Sequence, residues 1–259
     1  MIIQSPGEIA FSISGFTVYW YGIILALAVL AGVFCAGIIS KKYADIPRDF
    51  FIDNSPIVII CGIIGARLYY CAVNFNYYIK NPLEIFDVRQ GGLSIHGMLI
   101  AGVAVVYLLS KKYKINFLKL ADILACSTVL AQSIGRWGNF FNSEAFGVPV
   151  KSSDWGLFIP VSHRPEQYLS EELFHPAFFY ESVLDLLVFF ILLKILRRSN
   201  KNGTVFCMYL ILYSAVRILV EQIRIDSVLN ISGIPVAQFV SVIIILAAFL
   251  MLYIIKQRA

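Results

Sequence analysis

The sequence predicts an all-α integral membrane protein: a bundle of about seven transmembrane helices with a small extracytoplasmic cap. Three observations carry this expectation. Of the 259 residues, 59% are hydrophobic and 14% charged, against about 45–50% and about 25% in soluble domains. The apolar residues gather in runs close to the roughly 20 residues that cross a hydrocarbon core. The basic residues sit in short clusters between those runs, such as Lys41-Lys42, Lys111-Lys112 and Arg197-Arg198. That is how membrane topology is written, not how a phosphate-binding face is built, so the net charge of +5 implies no nucleic-acid partner.

Seven spans follow, at about 17–39, 54–73, 93–110, 120–141, 176–196, 204–224 and 236–255. The fourth is the least regular, since it contains Asp122, Gln132 and Arg136. Breaks fall at Pro47, Asn81-Pro82, Gly91-Gly92, Asn202-Gly203 and Gly233, residues that interrupt helices. Residues 1–259 read as a single polytopic domain without internal repeats, with the long connector at about 142–175 as its cap. The N-terminus has no basic region and no small-residue cleavage site, so the first span is expected to be retained. Cys35, Cys61, Cys71, Cys126 and Cys207 are scattered through apolar stretches without a CxxC pair. They read as small buried hydrophobes, with no disulfide and no metal site expected.

The basic residues also orient the chain. Lys41, Lys42, Arg48, Lys111, Lys112, Lys114, Lys119, Lys194, Arg197, Arg198, Lys201, Lys256 and Arg258 fall on one side. Lys80, Arg89, Lys151, Arg164 and Arg224 fall on the other, and Arg67, Arg136 and Arg217 lie within spans. The richer side is expected to be cytoplasmic. This puts the N-terminus and Ser152 outside and the C-terminus inside.

Ionisable residues within spans are costly and mark function. With this orientation one set of polar residues gathers in the outer half of the membrane: Trp20-Tyr21 at the start of the first span, Arg67, His96, Arg136 with Asn139 and Glu144, His175 with Tyr180-Glu181, and Tyr213, Arg217, Glu221 and Arg224. The last four are spaced 4, 4 and 3, so a helix puts them on one face as a stripe of about 16 Å. They fit a self-neutralising ladder of Arg217 with Glu221. They also fit a site where arginine's planar fork takes an external phosphate bidentately. The run from Gly135 to Gly147, GRWGNFFNSEAFG, combines a guanidinium, carboxamides and a carboxylate with glycines that permit close approach. It fits either a capped helix end or an anionic headgroup site. His96 follows Gly91-Gly92-Leu93-Ser94-Ile95. A lone histidine is more often structural, but this one shares its depth with arginines, and imidazole is the usual base near neutral pH.

These motifs resemble those of the bacterial prolipoprotein diacylglyceryl transferases. The pattern G-R-x-G-N-F-x-N-x-E-x-x-G is matched at each fixed position from Gly135 to Gly147. GGLSIHG at residues 91–97, His175-Pro176 with Tyr180-Glu181, the set from Tyr213 to Arg224, and Trp20-Tyr21-Gly22 resemble further family segments. Met98 and Ala101 stand where glycine is common in the family, which touches only local helix packing. The resemblance implies a cell-membrane enzyme without metal or organic cofactor. Its partners would be phosphatidylglycerol, surrounding membrane lipids and the signal peptides of prolipoproteins with a lipobox cysteine. The cysteine thiol would attack a glycerol carbon, forming a thioether and releasing glycerol phosphate. On this reading His96 is the candidate base, and Arg136 and Arg217 clamp the phosphate. Asn139, Glu144 and Gly147 shape the headgroup pocket, and Glu221 orients an arginine. Arg67 and Tyr21 bind lipid, and Tyr213 positions either substrate. An anion transporter would instead carry polar groups through the full membrane depth. A non-catalytic scaffold would tolerate replacement of Arg136 and Asn139.

Overall fold

In the computed structural model, residues 2–13, 15–87, 91–151, 155–225, 230–231 and 234–257 are described. Arg89, Ser152, Gly233 and Arg258, used above for topology, lie outside them. The chain is a multi-pass membrane protein, and among the described residues it has seven long helices: α1 (Trp20–Tyr43), α2 (Asp49–Val73), α4 (Ile95–Lys112), α5 (Phe117–Phe141), α6 (Ala177–Arg198), α7 (Thr204–Glu221) and α8 (Val236–Gln257). A four-residue helix, α3 (Phe75–Tyr78), follows α2. Six of the seven are long and apolar enough to cross a membrane by length and composition. The one outside that set is α6, not the fourth span. It carries Glu181 and Asp185 in its interior and Lys194 further along, while α5 tolerates Asp122 and Arg136 in a 25-residue helix.

Helix ends follow local chemistry. Asn116 caps α5, its Oδ1 accepting from the Leu118 and Lys119 amides at 2.8 and 3.3 Å, which satisfies donors that a helix start otherwise leaves orphaned. The start of α7 is capped from a distant part of the chain. Gly203 and Phe206 donate their backbone N–H to the two oxygens of Asp122, both at 2.7 Å. At its other end α7 stops at Glu221, earlier than the 204–224 span. Arg224 therefore leaves the helical stripe and instead pairs with Gly147 in a β-bridge, next to a Val148 N–H donated to the Ile223 carbonyl at 2.8 Å.

The chain divides into two compact units, residues 37–121 and residues 1–36 with 122–259. In the first, α2 packs along α4 at small residues. A Cβ on Gly97 would collide with the Gly65 carbonyl and Tyr69, and one on Gly65 would meet the Ala101 methyl. Close backbone approach of this kind replaces the hydrophobic drive that lipid removes between membrane helices. Ala101, the departure from the family's glycine, sits at that contact.

In the second unit, α5 and α6 are joined by reciprocal hydrogen bonds. Ser133 Oγ donates to the Ser182 carbonyl and Ser182 Oγ to the Ser133 carbonyl, both at 2.8 Å. The connector between these helices is folded. β1 (Ile2–Gln4) runs parallel to β4 (Gly156–Phe158), which pairs antiparallel with β5 (Leu173–Phe174). Phe146, Leu157, Ile159, Phe174 and Phe178 make its small core. The N-terminal segment adds an antiparallel hairpin, β2 (Ile9–Ile13) with β3 (Phe16–Tyr19), which leads directly into α1. Two-residue strands β6 (Asn230–Ile231) and β7 (Ile234–Pro235) precede α8.

Candidate active site

Three helix ends in the second unit bring charges together. Arg136 lies in the last turns of α5, Glu181 near the start of α6, and Tyr213, Arg217 and Glu221 in the last turns of α7. One oxygen of Glu181, Oε1, accepts from Arg136 Nη2 and from Arg217 Nη1, the latter at 2.9 Å. Arg217 Nη2 also donates to Glu221 Oε2 at 2.8 Å. Arg136 Nη2 reaches the Tyr213 hydroxyl at 3.3 Å, and Tyr213 stacks on Tyr209, whose hydroxyl donates to Gln132 Oε1 at 3.2 Å.

The Arg217–Glu221 pair of the ladder reading is thus formed, but it is one arm of a larger network across three helices. Exposure is unequal within that network. The arginine side chains are 21% and 16% exposed, while Glu181 is 0% exposed. The arginine side chains are therefore more accessible than the carboxylate they share. Two forked cations on different helices converge on one carboxylate oxygen, and an arginine fork matches the oxygens of an anion.

The Gly135–Gly147 run continues from this cluster. Gly138 lies against the Tyr21 ring, which a Cβ there would approach to 2.9 Å, and Trp20 stacks on Phe141 with centroids 4.8 Å apart. Tyr21 is thereby placed beside the motif by packing. After α5 ends, Asn139 and Asn142 each donate to Glu144 at 3.4 Å. Ser143 and Ala145, on either side of Glu144, hold φ of 53° and 54°. Left-handed backbone at two non-glycine residues is costly and concentrates at ligand-binding positions. Gly147 donates to the His175 carbonyl at 2.8 Å. A Cβ on it would stand 2.9 Å from the Ile223 carbonyl and 3.1 Å from His175 Cβ. His175 is in turn 3.1 Å from the Tyr180 hydroxyl through Nδ1.

His96 and Arg67 belong to the other unit. His96 is exposed in the first turn of α4, with the Tyr69 ring stacked beside it at 5.8 Å. Arg67, expected to bind lipid, does something else. Its Nε donates to the Ile85 carbonyl at 2.9 Å, Nη1 to the Gly91 and Gly92 carbonyls at 2.9 and 3.1 Å, and Nη2 to the Glu84 and Asp87 carbonyls, the latter at 2.8 Å. All five guanidinium donors are engaged by backbone, which leaves none for a headgroup. Arg67 organises the segment leading to His96. The glycines of that segment suit it: φ is +86° at Gly91 and +71° at Gly92, and a Cβ on Gly92 would strike the guanidinium. A cleft of about 370 Å³ opens over this segment, lined by Arg67, Tyr70, Tyr77, Glu84 and others.

Two acidic residues were undervalued by sequence reasoning. The sequence gives Glu181 a depth and a motif but no partner, and it is the hub of the arginine network. Asp185, one turn further along α6 and 0% exposed, was not singled out at all. The available signal was a pair of acids four apart in an otherwise apolar run.

Comparison with known proteins gives the family of the chain. The family profile described as "Prolipoprotein diacylglyceryl transferase" matches residues 8–254. The chain is 39% identical over 271 residues to the phosphatidylglycerol--prolipoprotein diacylglyceryl transferase of Parasynechococcus marenigrum (strain WH8102), covering 99% of this chain and 96% of the relative. It is 43% identical over 250 residues to the protein of that name from Clostridium kluyveri (strain ATCC 8527), covering 96% and 97%. The similarly named protein of Synechocystis sp. is 40% identical over 264 residues, covering 98% and 92%. With nearly its whole length matched by both the profile and these relatives, the chain belongs to the prolipoprotein diacylglyceryl transferase family.

Proposed function

We propose that this chain transfers the diacylglyceryl group of phosphatidylglycerol to the lipobox cysteine of prolipoproteins, at the outer face of the cytoplasmic membrane. The observation that carries this reading is the convergence of Arg136 and Arg217 on one oxygen of Glu181. Both side chains are partly exposed, and together they offer a phosphodiester two forks.

The cysteine sulfur attacks the glycerol carbon that bears the phosphate ester. The C–S bond forms, the C–O bond breaks, and glycerol phosphate leaves with the bonding electron pair. A thiol reacts as its thiolate, and a free one has a pKa near 8.5, so a base is useful near neutral pH. His96 takes the thiol proton in this scheme. Negative charge grows on the departing phosphate, and preorganised guanidinium donors stabilise it. Asn139, Glu144 and Gly147 shape the headgroup pocket and Tyr21 lines it. Tyr213, within 3.3 Å of Arg136, positions substrate, and Glu221 orients Arg217. Arg67 is not part of this clamp; it shapes the approach to His96.

The test is purified protein with phosphatidylglycerol and a lipobox peptide, assayed for glycerol phosphate release. Absence of release from folded protein overturns the reading. The orientation has its own test. Reporters fused after Arg258 and inserted near Ser152 are expected inside and outside respectively, and opposite labelling overturns the outer-face assignment.

A further inference from the structure

The cleft beside Arg67 has walls of one chemical kind. It opens where α2 passes into α3 and the chain turns at Pro82–Phe86, all within the unit of residues 37–121. Tyr70, Tyr77 and Tyr78 give it aromatic surface, and Asn74 and Glu84 give it polar groups. Its volume of about 370 Å³ lies at the small end of the range of ligand sites, about 300–1,000 Å³.

These polar groups offer acceptors in excess of donors. Arg67, the cation on the wall, has every N–H committed to backbone carbonyls. Asn74 gives an amide N–H to the Tyr70 carbonyl at 2.9 Å, which leaves its Oδ1 to accept. Tyr77 gives its hydroxyl proton to Glu84 Oε2 at 2.7 Å, and a carboxylate keeps further lone pairs on both oxygens. Tyr78 is different. It is 9% exposed, and the Arg67 guanidinium lies over its ring at 5.3 Å. Its hydroxyl has no hydrogen-bond partner among the described residues. A buried tyrosine hydroxyl ordinarily has a partner, and the cleft that Tyr78 lines is where one can enter.

A phosphate is the wrong ligand for such walls, since it needs donors and would meet the Glu84 carboxylate. An extended peptide suits them, because each residue other than proline brings one backbone N–H. The cleft also adjoins His96. The Tyr69 ring stacks beside His96, and the next residue, Tyr70, lines the cleft. Gly92 lines it too and stands four residues before His96, at most about 14 Å away along an extended chain. A cysteine presented to His96 is preceded by the apolar stretch of its signal peptide, which belongs in lipid. The residues after it are free to enter a polar cleft, and about four of them, extended, cover that distance.

From this placement, and resting on the role given to His96 above, we propose that the cleft is the subsite for the prolipoprotein segment that follows the lipobox cysteine. The segment lies extended, gives backbone N–H groups to Asn74 and Glu84, and hydrogen-bonds the Tyr78 hydroxyl. Arg67 takes no direct part; it holds the wall in place.

The experiment is fluorescence anisotropy with the full-length protein in phosphatidylcholine nanodiscs. Two labelled lipobox peptides carry serine in place of the cysteine, so that binding is read without turnover. One stops at that position, and the other continues for about four residues, the reach estimated above. The longer peptide is expected to bind about tenfold tighter, the worth of one or two hydrogen bonds. Tyr78→Phe deletes only a hydroxyl, and should weaken the longer peptide by about two- to tenfold while leaving the shorter one unchanged. Equal affinity of the two peptides for the wild-type protein overturns the proposal. So does a Tyr78→Phe loss that is absent, or that both peptides share, as a structural role would give. Short-chain phosphatidylglycerol is titrated into the same proteins, and a Tyr78→Phe loss there in place of the peptide assigns the cleft to lipid and overturns the peptide subsite. The wild-type comparison decides the main point even if the variant fails to fold. Glycerol phosphate release with the cysteine peptide is read separately. Its absence overturns the transferase reading, while the serine peptides still decide the cleft.

Discussion

Arg67 and the Arg136–Arg217 pair pose the same problem to the membrane and solve it differently. Each is a guanidinium within an apolar helix, where charge is expensive. Arg67 faces five backbone carbonyls. Those acceptors are neutral, fixed by the chain, and cannot leave without unfolding the segment. Arg136 and Arg217 face carboxylate side chains and share one oxygen of Glu181. A side-chain carboxylate can turn away without unfolding the chain, so its place can pass to another anion. An arginine inside a membrane helix is thus not in itself a ligand site; the exchangeability of its acceptors decides.

The sharpest way to break this contrast is to compare His96, in the unit of Arg67, with Arg136. His96→Asn is expected to cut turnover by about 10²–10⁴-fold, the usual worth of a general base, while lipid affinity holds. Between about pH 7 and pH 9 the defect should shrink as the peptide thiol, with a pKa near 8.5, ionises unaided. Arg136→Ala is expected to lose about 10²–10³-fold, as for an oxyanion donor, with no such rescue. Identical pH profiles for the two variants would remove the base assignment from His96.

Arg217→Lys sharpens the comparison by keeping charge and deleting the fork. Turnover should fall by about tenfold or more, with the melting temperature nearly unchanged, since a lysine still pairs with Glu181 or Glu221. Full activity would make Arg217 a general charge and not a geometric clamp.

Arg67→Ala should behave in the opposite sense. Five backbone carbonyls lose a charged donor, and a hydrogen bond to a charged group contributes about 1.5–3 kcal/mol. The protein should melt earlier and be cut more readily by protease within residues 82–92, while phosphatidylglycerol affinity stays within about threefold of wild type, well under the roughly 1.4 kcal/mol of a tenfold change. A stable variant that has lost lipid binding would erase the distinction between the two kinds of arginine.

The smallest effect is expected at Asp122, a charge with no place in the clamp. It accepts from the Gly203 and Phe206 amides. Asp122→Ala should cost about 0.5–2 kcal/mol, as for loss of a helix cap, read as a lower melting temperature. Asp122→Asn, which keeps an acceptor oxygen, should recover part of it. Lost turnover without lost stability in Asp122→Ala would extend the functional network to the far end of α7.

The helices were legible in the sequence because a run of apolar residues long enough to cross a bilayer is a local property. So were the polar positions, since Arg67, His96, Arg136 and Arg217 stand out against apolar neighbours. What each polar residue faces was not legible, because the partners are remote along the chain. The acceptors of Arg67 lie 17 to 25 residues away, and Glu181 lies 45 residues from Arg136 and 36 from Arg217. The helical stripe of Tyr213, Arg217, Glu221 and Arg224 failed at its last member for the same reason: a bridge to Gly147, 77 residues back, takes the backbone of Arg224 where periodicity alone would have continued the helix. Composition and spacing therefore determined a multi-pass helical protein with arginines in its spans. Only the tertiary structure decided which of those arginines face backbone carbonyls and which face carboxylate side chains, because hydrogen-bond partners are chosen by proximity in space.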